Sequence, residues 1–486
     1  MVDAMNAARV SGEGNPDIAA VVADSRRAGP GALFAALAGS HADGAAYIGD
    51  ALDRGASAIL AASLPDPLPP VPVIIARDVH KALGEAADAL YRNPSRSLRL
   101  VGVTGTNGKT TTAYILRHVL NRCGMRCGML GTIEYDLGRT VEPAPLTTPD
   151  AVRFTKSLAE MRDSGCEAAV VEVSSHALAQ ERVWPHRFAV GMFTNLTRDH
   201  LDYHGDMAAY RDAKRKLFLR LDERALAVVN WTDPASARMA EGCAARVAGY
   251  MLDAPDAATA PGEAIRAHIV RCDLSGQLFT VENHALAGEY RTPLVGRHNV
   301  ENCLGVMMAA HGLGCDVRAI RDAIADFPGV PGRLERIESA DGVTAFVDYS
   351  HTDGALRSVL SVLRPLVPGK MITVFGCGGD RDKGKRPLMA NAAEERSDVV
   401  VVTSDNPRTE DALAIIREIM PGFSRPEAVT VEPDRRSAVM EAARMAEPGD
   451  AILVAGKGHE DYQVIGTEKI HLDDRELVRE AFAKRA

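Results

Sequence analysis

The stretch that most constrains the fold is the glycine loop GVTGTNGKTTT at residues 102–112. It follows an apolar run at residues 98–103 and opens a segment, residues 109–122, whose apolar side chains recur at helical spacing. The predicted order is therefore strand, glycine loop, helix. Such a loop points backbone N–H groups and the positive end of the helix dipole at one place, where Lys109 adds charge and Thr110 can ligate Mg²⁺. The loop predicts a nucleoside-triphosphate site, because a plain Gly-rich turn would not need the lysine.

Length and composition predict a soluble protein of several domains. At 486 residues the chain exceeds what one hydrophobic core normally serves, so about two to four domains are expected. Hydrophobic residues make up 46% and charged residues 25%, as in ordinary globular proteins. The net charge of −9 argues against a nucleic-acid-binding surface, although it is compatible with a local basic cleft for phosphates.

The cysteines and the N-terminal residues predict a cytoplasmic protein. Eight cysteines are scattered, and Cys123 and Cys127 are followed by no Cys/His pair, which argues against a zinc site. Reduced thiols in the cytoplasm are the simplest interpretation. Residues 1–17 have no apolar core, and nowhere do about eighteen apolar residues follow one another, so neither a secretory signal nor membrane insertion is expected.

Residues 21–94 predict a small α/β domain. Its pattern consists of apolar runs that begin at Leu33, Ser57 and Val71 and of helical stretches at residues 47–54 and 79–91. Ser25, Arg26 and His41 lie in turn-like contexts rich in Gly and Pro. They are weak signals alone, because Asp-Ser-Arg can simply cap and turn a chain. Residues 92–95 predict a linker into the domain that carries the glycine loop.

Two more strands of the glycine-loop domain end in polar residues. The strand in CEAAVVEVSS carries Glu172 at its carboxyl end, where α/β nucleotide sites keep a Mg²⁺ ligand. The next strand, FAVGMFTNL, leads into a polar cluster that packing does not explain, although a single histidine there would more often be structural. The cluster comprises Thr194, Asn195, Asp199, His200, His204 and Lys214. Ahead of both strands, Thr147, Thr148 and Asp150 precede a predicted helix that runs towards Ser164.

The following segment offers weaker signals. Residues 231–289 predict strands and loops without evident chemistry. A helix is predicted to open at Asn299, where His298, Asn299 and Asn302 could contact a ligand, but an Asn-capped helix explains the pattern nearly as well. The Pro and Gly density of residues 327–337 predicts a hinge between domains.

From residue 343 onwards, strands and helices alternate with short connections. This alternation predicts a doubly wound parallel α/β domain, whose ligand-binding residues belong at the carboxyl ends of strands. Polar clusters follow four of the predicted strands, and they contain Asp348 and His351, Arg381 and Lys383, Asp405 to Arg408, and Gly456 to Glu460.

Taken together, nine motifs resemble those of the Mur ligases along the whole chain. They are GTNGKTTT, LTTPD, EVSSHALAQERV, TNLTRDHLDYHGDMAAYRDAK, GRHNVEN, DYSHT, GCGGDRDKGKRP, SDNPR and GKGHEDYQ. The glycine loop has Val103 where the usual P-loop has a glycine, and it resembles the ATP loop of Mur ligases and folylpolyglutamate synthases. The resemblance implies a three-domain α/β fold: an N-terminal UDP-binding domain at 1–94, a central P-loop ATPase domain at 95–332, and a C-terminal Rossmann-like domain with a doubly wound parallel sheet at 333–486.

The resemblance is strongest to the members that add meso-2,6-diaminopimelate to UDP-N-acetylmuramoyl-L-alanyl-D-glutamate. It implies an ATP-dependent amide ligase that uses Mg²⁺ and forms an acyl phosphate in cytoplasmic peptidoglycan precursor synthesis. Neither a nucleic-acid partner nor membrane insertion is expected, and the chain is predicted to be a monomer.

The resemblance also implies roles for individual residues. The expected ATP-binding residues are Gly105, Thr106, Asn107, Gly108, Lys109, Thr110, Thr111, Asn299, Arg333, Asp348 and His351. The expected catalytic residues are Lys109, Glu172, His200 and Lys214, and the expected metal ligands are Thr110, Glu172, His200 and an N-carboxylated Lys214. The expected contacts to the UDP-substrate are Ser25, Ser40, His41, Ala42, Thr147, Thr148, Ser174, Gln180 and Arg182. The expected diaminopimelate-binding residues are Arg381, Asp405, Asn406, Pro407, Arg408, Gly456 and Glu460.

Two of these expectations have a simple chemical reason. Carbamylation of Lys214 would invert its charge, whereas a plain ammonium would repel the cations. Diaminopimelate differs from lysine by a distal carboxylate. A largely buried Arg408 would bind this carboxylate through two parallel hydrogen bonds from its guanidinium. Asp405 or Asn406 would accept from the distal ammonium, although Arg408 could instead merely cap a strand or pair with Glu410. The loop at residues 348–354 has Ser350 and Asp353 where the family has Ala and Pro.

Two other functions share part of this pattern. A folylpolyglutamate synthase would share the ATP loop, but the DSR segment near Ser25 and the DNPR motif ending at Arg408 do not belong to it. A P-loop switch or binding protein without ligase chemistry would not need the cluster at His200 and Lys214.

Overall fold

The computed structural model describes residue 5 and residues 9–38, 43–253 and 263–485. The chain divides into two compact units. The first unit comprises Met1–Ala267, Glu282–Ala287 and Glu301–Ala323, and the second comprises His268–Val281, Gly288–Val300 and Ile324–Ala486. The fold is mixed α/β with three sheet-rich domains, as the sequence predicted.

A five-stranded sheet occupies the N-terminal part of the first unit, in the order β1-β5-β4-β3-β2. Its elements are β1 (Arg9–Ser11), β2 (Ala20–Val22), β3 (Ala32–Ala35), β4 (Ala58–Ala61), β5 (Val73–Ile75), α1 (Ile48–Asp53) and α2 (Val79–Leu90). β1 is antiparallel to β5, and the other strand pairs are parallel. Asp78 caps α2 by accepting from the backbone N–H of Lys81, and the buried face of α2 packs on the sheet through Val79 and Leu83.

The first unit also contains nine neighbouring strands of a larger, eleven-stranded sheet, in the order β14-β13-β12-β11-β6-β10-β7-β8-β9, with β14 entering by its first residues, 263–267. These strands are β6 (Arg99–Thr104), β7 (Cys127–Leu130), β8 (Glu134–Asp136), β9 (Val141–Pro143), β10 (Ala168–Glu172), β11 (Val190–Phe193), β12 (Leu226–Asn230), β13 (Arg246–Leu252) and β14 (Glu263–Asp273). The strands are parallel except at the β8 and β9 edge.

Helices cover this sheet and place the glycine loop. They are α3 (Lys109–Arg122), α4 (Ala151–Asp163), α5 (Ser175–Ala179), α6 (Leu201–His204), α7 (Met207–Leu219), α8 (Ser236–Ala240), α9 (Arg297–Gly312) and α10 (Val317–Ala325). β6 lies between β10 and β11, so the glycine loop after β6 is flanked by the carboxyl ends of those two strands. The three strands are buried, which fixes the relative position of the residues that follow them.

The second unit contains a six-stranded sheet in the order β17-β18-β22-β19-β20-β21. The strands of the unit are β15 (Gly276–Val281), β16 (Gly288–Thr292), β17 (Glu335–Glu338), β18 (Thr344–Asp348), β19 (Met371–Phe375), β20 (Val399–Val402), β21 (Thr430–Val431), β22 (Ala451–Ala455), β23 (Tyr462–Ile465) and β24 (Glu468–His471). The helices are α11 (Asp353–Leu363), α12 (Lys385–Glu394), α13 (Ala412–Ile419), α14 (Arg435–Met445) and α15 (Asp474–Ala483).

This sheet is doubly wound. One apolar core lies between the sheet and α11, α12 and α13, and a second lies on the other face against α14 and α15. The predicted parallel strands are all present, and β17 adds an antiparallel edge that the sequence did not reveal. β23 and β24 form a separate antiparallel hairpin.

Two local predictions need correction. The helix predicted to open at Asn299 begins at Arg297, because the Asn299 N–H already donates to the carbonyl of Gly296. Asn299 therefore lies in the first turn of α9 rather than at its cap. The region 231–289 also contains a short helix, α8, besides strands and loops. In the part of the chain that the structure describes, no helix is both long and apolar enough to cross a membrane.

Candidate active site

The glycine loop has a conformation that only glycine adopts easily at two positions. Gly105 has φ of +154° and Gly108, which precedes α3, has φ of +82°. A Cβ on Gly105 would lie 1.9 Å from Thr194 Oγ1, and one on Gly108 would lie 2.7 Å from Asn302 Oδ1. The loop therefore packs directly against the residues after β11 and against α9, and side chains at these two positions would displace it.

The residues after β11 hold the loop through a set of hydrogen bonds. Thr194 Oγ1 donates to the Asn107 carbonyl at 2.7 Å, and the Asn107 N–H donates to Asn195 Oδ1 at 2.9 Å. The Thr197 N–H donates to Thr106 Oγ1 at 3.0 Å. These bonds explain why polar residues follow an apolar strand here: they fix the loop so that its backbone N–H groups keep one orientation.

Two lysines converge on the carbonyl oxygen of Gly105. Lys109 Nζ donates to it at 2.9 Å and also to the Thr106 carbonyl at 2.8 Å, and Lys214 Nζ donates to it at 2.6 Å. Lys214 is 1% exposed and lies over the Tyr210 ring, 4.5 Å from its centroid. Burial, together with repulsion from Lys109, holds the pKa of Lys214 well below its ordinary value. Two lysine side chains thus contact the loop, and the lowered pKa of Lys214 favours the neutral form of its amine.

Glu172 provides the carboxylate predicted at the end of β10. It is fully buried and accepts from Thr110 Oγ1 at 2.9 Å, from the Thr132 N–H at 2.8 Å and from Thr132 Oγ1 at 3.0 Å. A hydroxyl and a carboxylate at the start of α3 are the hard oxygen donors that Mg²⁺ prefers. The residues at this position therefore fit the predicted cation.

His200 lies at the start of α6 with φ of +52° and an exposed side chain. Its ring contacts His176 edge-on at 4.9 Å between centroids and Tyr210 at 6.1 Å, and Nε2 is 3.5 Å from Asp199 Oδ2. Burial and the neighbouring His200 and His204 lower the pKa of His176. Within the described ranges, no three His, Cys, Asp or Glu side chains are placed to hold a metal ion. Of the predicted metal ligands, Thr110 and Glu172 touch, whereas His200 belongs to this aromatic cluster.

The predicted contacts to the dipeptide part of the UDP-substrate form one hydrogen-bonded network. Thr148 Oγ1 donates to the Glu172 carbonyl at 2.7 Å and accepts from the Ser174 N–H at 3.0 Å. Arg182 donates from Nη1 to the Thr148 carbonyl at 3.0 Å and from Nε to Gln180 Oε1 at 2.9 Å. The fifth predicted residue, Thr147, has its Oγ1 3.1 Å from Thr132 Oγ1. This network thus adjoins Glu172.

Ser25 is the only predicted uridine-side contact within the described residues, because Ser40, His41 and Ala42 lie outside them. Ser25 is buried and starts a short helical turn that Asp24 caps by accepting from the Arg26 N–H at 3.0 Å. A hydrogen bond from Ser25 lowers the pKa of Asp50.

In the second unit, two predicted nucleotide contacts lie against Tyr349, a residue that the sequence did not single out. The Arg333 guanidinium lies 4.8 Å above the Tyr349 ring, and the His351 ring lies 4.7 Å from it. Asp348 accepts from the Leu334 N–H at 2.8 Å, and burial raises its pKa. The predicted fourth contact, Asn299, donates from Nδ2 to the Val295 carbonyl at 2.8 Å. Ser350, the departure from the family pattern, donates a hydrogen bond to Asp348.

Arg408 lies beside a second arginine. Its Nη1 donates to the Gly379 carbonyl at 2.8 Å, and a Cβ on Gly378 would lie 2.9 Å from Arg408 Nη1 and 3.8 Å from Arg381 Cγ. The Arg408 side chain is half-buried, whereas the side chain of Arg381 is exposed. Pairing with Glu410 is not the role of Arg408, because Glu410 pairs with Arg386 at 2.9 Å and with Lys383 at 3.1 Å.

The remaining predicted amino-acid contacts lie close to one another. Asn406 is buried and donates from Nδ2 to Glu460 Oε2 at 2.8 Å. Gly456 has φ of +115°, and a Cβ there would lie 2.7 Å from Asp405 Oδ2. Pro407 is buried between Asn406 and Arg408. The structure therefore joins the loops after β20 and β22, as expected for neighbouring parts of one ligand site.

The fold and the glycine loop define an α/β enzyme of the P-loop, nucleotide-using class. Three family models match the chain: "Mur ligase family, catalytic domain" at residues 17–94, "Mur ligase middle domain" at 103–310, and "Mur ligase, glutamate ligase domain" at 332–458. The chain belongs to the Mur ligase family. It is accordingly an ATP-dependent acid–amino-acid ligase.

Similar proteins span nearly the whole chain. A UDP-N-acetylmuramoyl-L-alanyl-D-glutamate–2,6-diaminopimelate ligase of Geobacter metallireducens is 44% identical over 96% of this chain and 94% of its own length. The ligase of the same name in Thermosynechococcus vestitus is 43% identical, with 97% and 94% covered. A solved structure of a ligase with that name is 32% identical, superposes with a TM-score of 0.71, and covers 96% of this chain and 95% of its own.

Proposed function

We propose that this chain joins meso-2,6-diaminopimelate to the side carboxylate of D-glutamate in UDP-N-acetylmuramoyl-L-alanyl-D-glutamate, at the cytoplasmic stage of peptidoglycan precursor synthesis. The near full-length relatives named for this reaction support the choice of substrates. The observation that carries the proposal is the contact between Thr110 and Glu172 at a P-loop that also holds Lys109 and Lys214. That set suits transfer of a phosphoryl group to a carboxylate.

Each of three domains takes one substrate in this proposal. Residues 1–94 bind the UDP moiety, residues 95–332 bind ATP, and residues 333–486 bring the amino acid. The family models, which match at residues 17–94, 103–310 and 332–458, support this division.

The first chemical step is phosphoryl transfer. The loop N–H groups between Gly105 and Thr111 and the positive end of α3 bind the ATP phosphates, and Lys109 neutralises part of their charge. An oxygen of the glutamate side carboxylate attacks the γ-phosphorus and ADP leaves, which yields an acyl phosphate. The network of Thr148, Ser174 and Arg182 is well placed for orienting that carboxylate, because it adjoins Glu172.

The second step forms the amide. The amine of the incoming amino acid attacks the acyl carbon, phosphate leaves, and the nitrogen loses a proton. Asp405, Glu460 and Arg408 offer two carboxylates and a guanidinium at neighbouring strand ends, which matches an amino acid with ammonium and carboxylate groups at both ends. Water must be excluded because it would hydrolyse the acyl phosphate.

Thr110, Glu172, His200 and an N-carboxylated Lys214 would hold Mg²⁺, which when bound would neutralise charge on the transferring phosphoryl group. The direct contact of Thr110 with Glu172 supports the first two assignments. The burial of Lys214 and the depressed pKa of its amine support the carboxylation, since the neutral amine is the form that reacts with carbon dioxide.

Phosphate release tests the proposal. Purified enzyme with ATP and Mg²⁺ should release phosphate only when UDP-N-acetylmuramoyl-L-alanyl-D-glutamate and meso-2,6-diaminopimelate are both present. A panel of other amino acids should give little release. Release that needs neither the UDP-substrate nor an amino acid would contradict the proposal.

A further inference from the structure

Lys457 lies in the predicted cluster Gly456 to Glu460, where the sequence assigned it no role, and its ammonium is buried next to the amino-acid site. It lies two residues after β22, and its side chain is 0% exposed. Nζ donates to Asn406 Oδ1 at 3.3 Å, to Glu460 Oε2 at 3.3 Å and to the Tyr462 carbonyl. An ammonium has three N–H donors, so these contacts account for its donor capacity. Lys457 therefore acts on neighbouring side chains rather than directly on a ligand.

The first neighbour that Lys457 fixes is Asn406. The oxygen of this amide accepts from Lys457 and from the Val464 N–H at 2.9 Å. Both partners can only donate, so the amide has one favourable orientation. Its nitrogen is thereby directed at Glu460 Oε2, 2.8 Å away.

The second neighbour is Glu460, which Lys457 contacts directly. The ammonium and the Asn406 amide both use Oε2, so neither of them occupies Oε1. The Glu460 side chain is 18% exposed, in contrast to the fully covered Lys457. A partly exposed carboxylate held by one oxygen suits a ligand ammonium at the other, because charge-assisted hydrogen bonds between these groups are strong.

We propose that Lys457 is a positioning residue for the incoming amino acid. It orients Glu460 directly and through Asn406, so that Oε1 of Glu460 accepts from an ammonium of the amino acid. This inference rests on the proposed function, because it takes the residues after β20 and β22 to be the amino-acid site.

A purely structural role would differ in its kinetic effect. A lysine that only joins the segments around Asn406 and Tyr462 would, when replaced, weaken the fold and affect every substrate alike. A positioning lysine acts on one substrate, and it acts through Glu460.

The test uses Lys457→Met, which keeps the length of the side chain and removes its charge. The KM for meso-2,6-diaminopimelate should rise roughly tenfold to a hundredfold, the range of a lost charged hydrogen bond, while the KM values for ATP and for the UDP-substrate stay unchanged. In a Glu460→Gln background the same replacement should add little, because the residue it acts through is already altered. Asp450→Asn is the matched control: Asp450 is buried and accepts from the Lys370 and Glu447 N–H groups, so this variant should lose stability without a change in that KM.

Three results would overturn the role of Lys457. One is a Lys457→Met enzyme in which all three KM values rise together. Another is an effect of full size in the Glu460→Gln background. The third applies if Lys457→Met does not fold. In that case Glu460→Gln is the test, and an unchanged KM for meso-2,6-diaminopimelate in this variant refutes the inference. A wild-type enzyme that forms no amide with this amino acid refutes the proposed function instead, so the two failures are distinguishable.

Discussion

Lys214 and Lys109 both donate to the carbonyl oxygen of Gly105, at 2.6 Å and 2.9 Å. Two ammonium groups that share one acceptor repel each other, and burial adds to the penalty on the charge of Lys214. The pKa of Lys214 is lowered accordingly, with burial as the larger cause. The pKa of Lys214 on α7 thus depends on burial and on the charge of Lys109, the first residue of α3 after the glycine loop.

Lys214→Ala should lower kcat by roughly a hundredfold or more, comparable to removing one electrostatic stabiliser of a transition state. Short carboxylic acids added to the assay should restore part of the rate, because they replace the anion of an N-carboxylated lysine. Lys216→Ala is the control, since Lys216 is a more exposed lysine of the same helix that pairs with Glu181 at 3.1 Å. Full activity of Lys214→Ala would exclude N-carboxylation as a requirement.

Lys109→Ala should lose amide formation while it still binds the UDP-substrate. In the proposed division of roles, Lys109 binds the phosphates of ATP, whereas the uridine contacts belong to the domain at residues 1–94. Calorimetric titration with the UDP-substrate, with folding verified by circular dichroism, checks this. An equal loss of UDP-substrate binding would contradict the division of roles between the domains.

Thr110→Val should raise the Mg²⁺ concentration needed for half-maximal activity. The replacement keeps the shape of the side chain but removes the hydroxyl that lies 2.9 Å from Glu172 Oε2. Mg²⁺ titrations of phosphate release measure the effect, with Thr155→Val as the control, because Thr155 is a buried threonine of α4 whose hydroxyl donates to the Ala151 carbonyl at 2.8 Å. A Mg²⁺ dependence identical to that of the wild type would argue against Thr110 as a ligand.

Arg435→Met should destabilise the ends of β20 and β22. Arg435 and Asp474 form a pair with both side chains 0% exposed, and Arg435 also donates to the carbonyls of Ser404 and Ala455. Breaking such a buried pair costs about 3–5 kcal/mol. Hydrogen exchange should therefore show a lower free energy of opening for these strands. Arg436→Ala, which breaks an exposed pair with Glu480, should change it by less than about 1 kcal/mol, and equal effects of the two variants would refute the assignment.

The glycine loop could be predicted from the sequence because the strand, turn and helix that define it follow one another directly in the chain. The strand, the turn and a helix over residues 109–122 appear in the structure as β6, the loop and α3. The residues that hold the loop could be predicted only in part. Thr194, Asn195 and Asn302 are candidate polar contacts in the sequence, but the hydrogen bond from Thr112 to Asn302, 190 positions away, depends on how α9 packs in the folded protein.

The same reasoning applies in the second unit. The Arg408 N–H donates to the Val464 carbonyl of β23, a contact between segments far apart in sequence that no local pattern predicts. Lys457 lies within the predicted cluster Gly456 to Glu460, but its burial and its two side-chain partners emerge only in the folded protein.

Arg408→Ala should reduce the preference for meso-2,6-diaminopimelate over lysine. A hydrogen bond to a charged group contributes about 1.5–3 kcal/mol, so the loss corresponds to roughly tenfold to a hundredfold in the ratio of kcat/KM values. Arg408→Lys should restore the preference only in part, because it lacks the two-armed guanidinium. An unchanged ratio in the alanine variant would assign the distal carboxylate to another residue, for which Arg381 is the nearest candidate.

The most direct test of the central claim is a competition experiment with the wild-type enzyme. ATP, Mg²⁺ and UDP-N-acetylmuramoyl-L-alanyl-D-glutamate are supplied with equal concentrations of meso-2,6-diaminopimelate and L-lysine, and the products are separated and weighed by mass spectrometry. The account predicts that the diaminopimelate amide is formed in large excess over the lysine amide. Equal amounts of the two products, or an excess of the lysine amide, would contradict it.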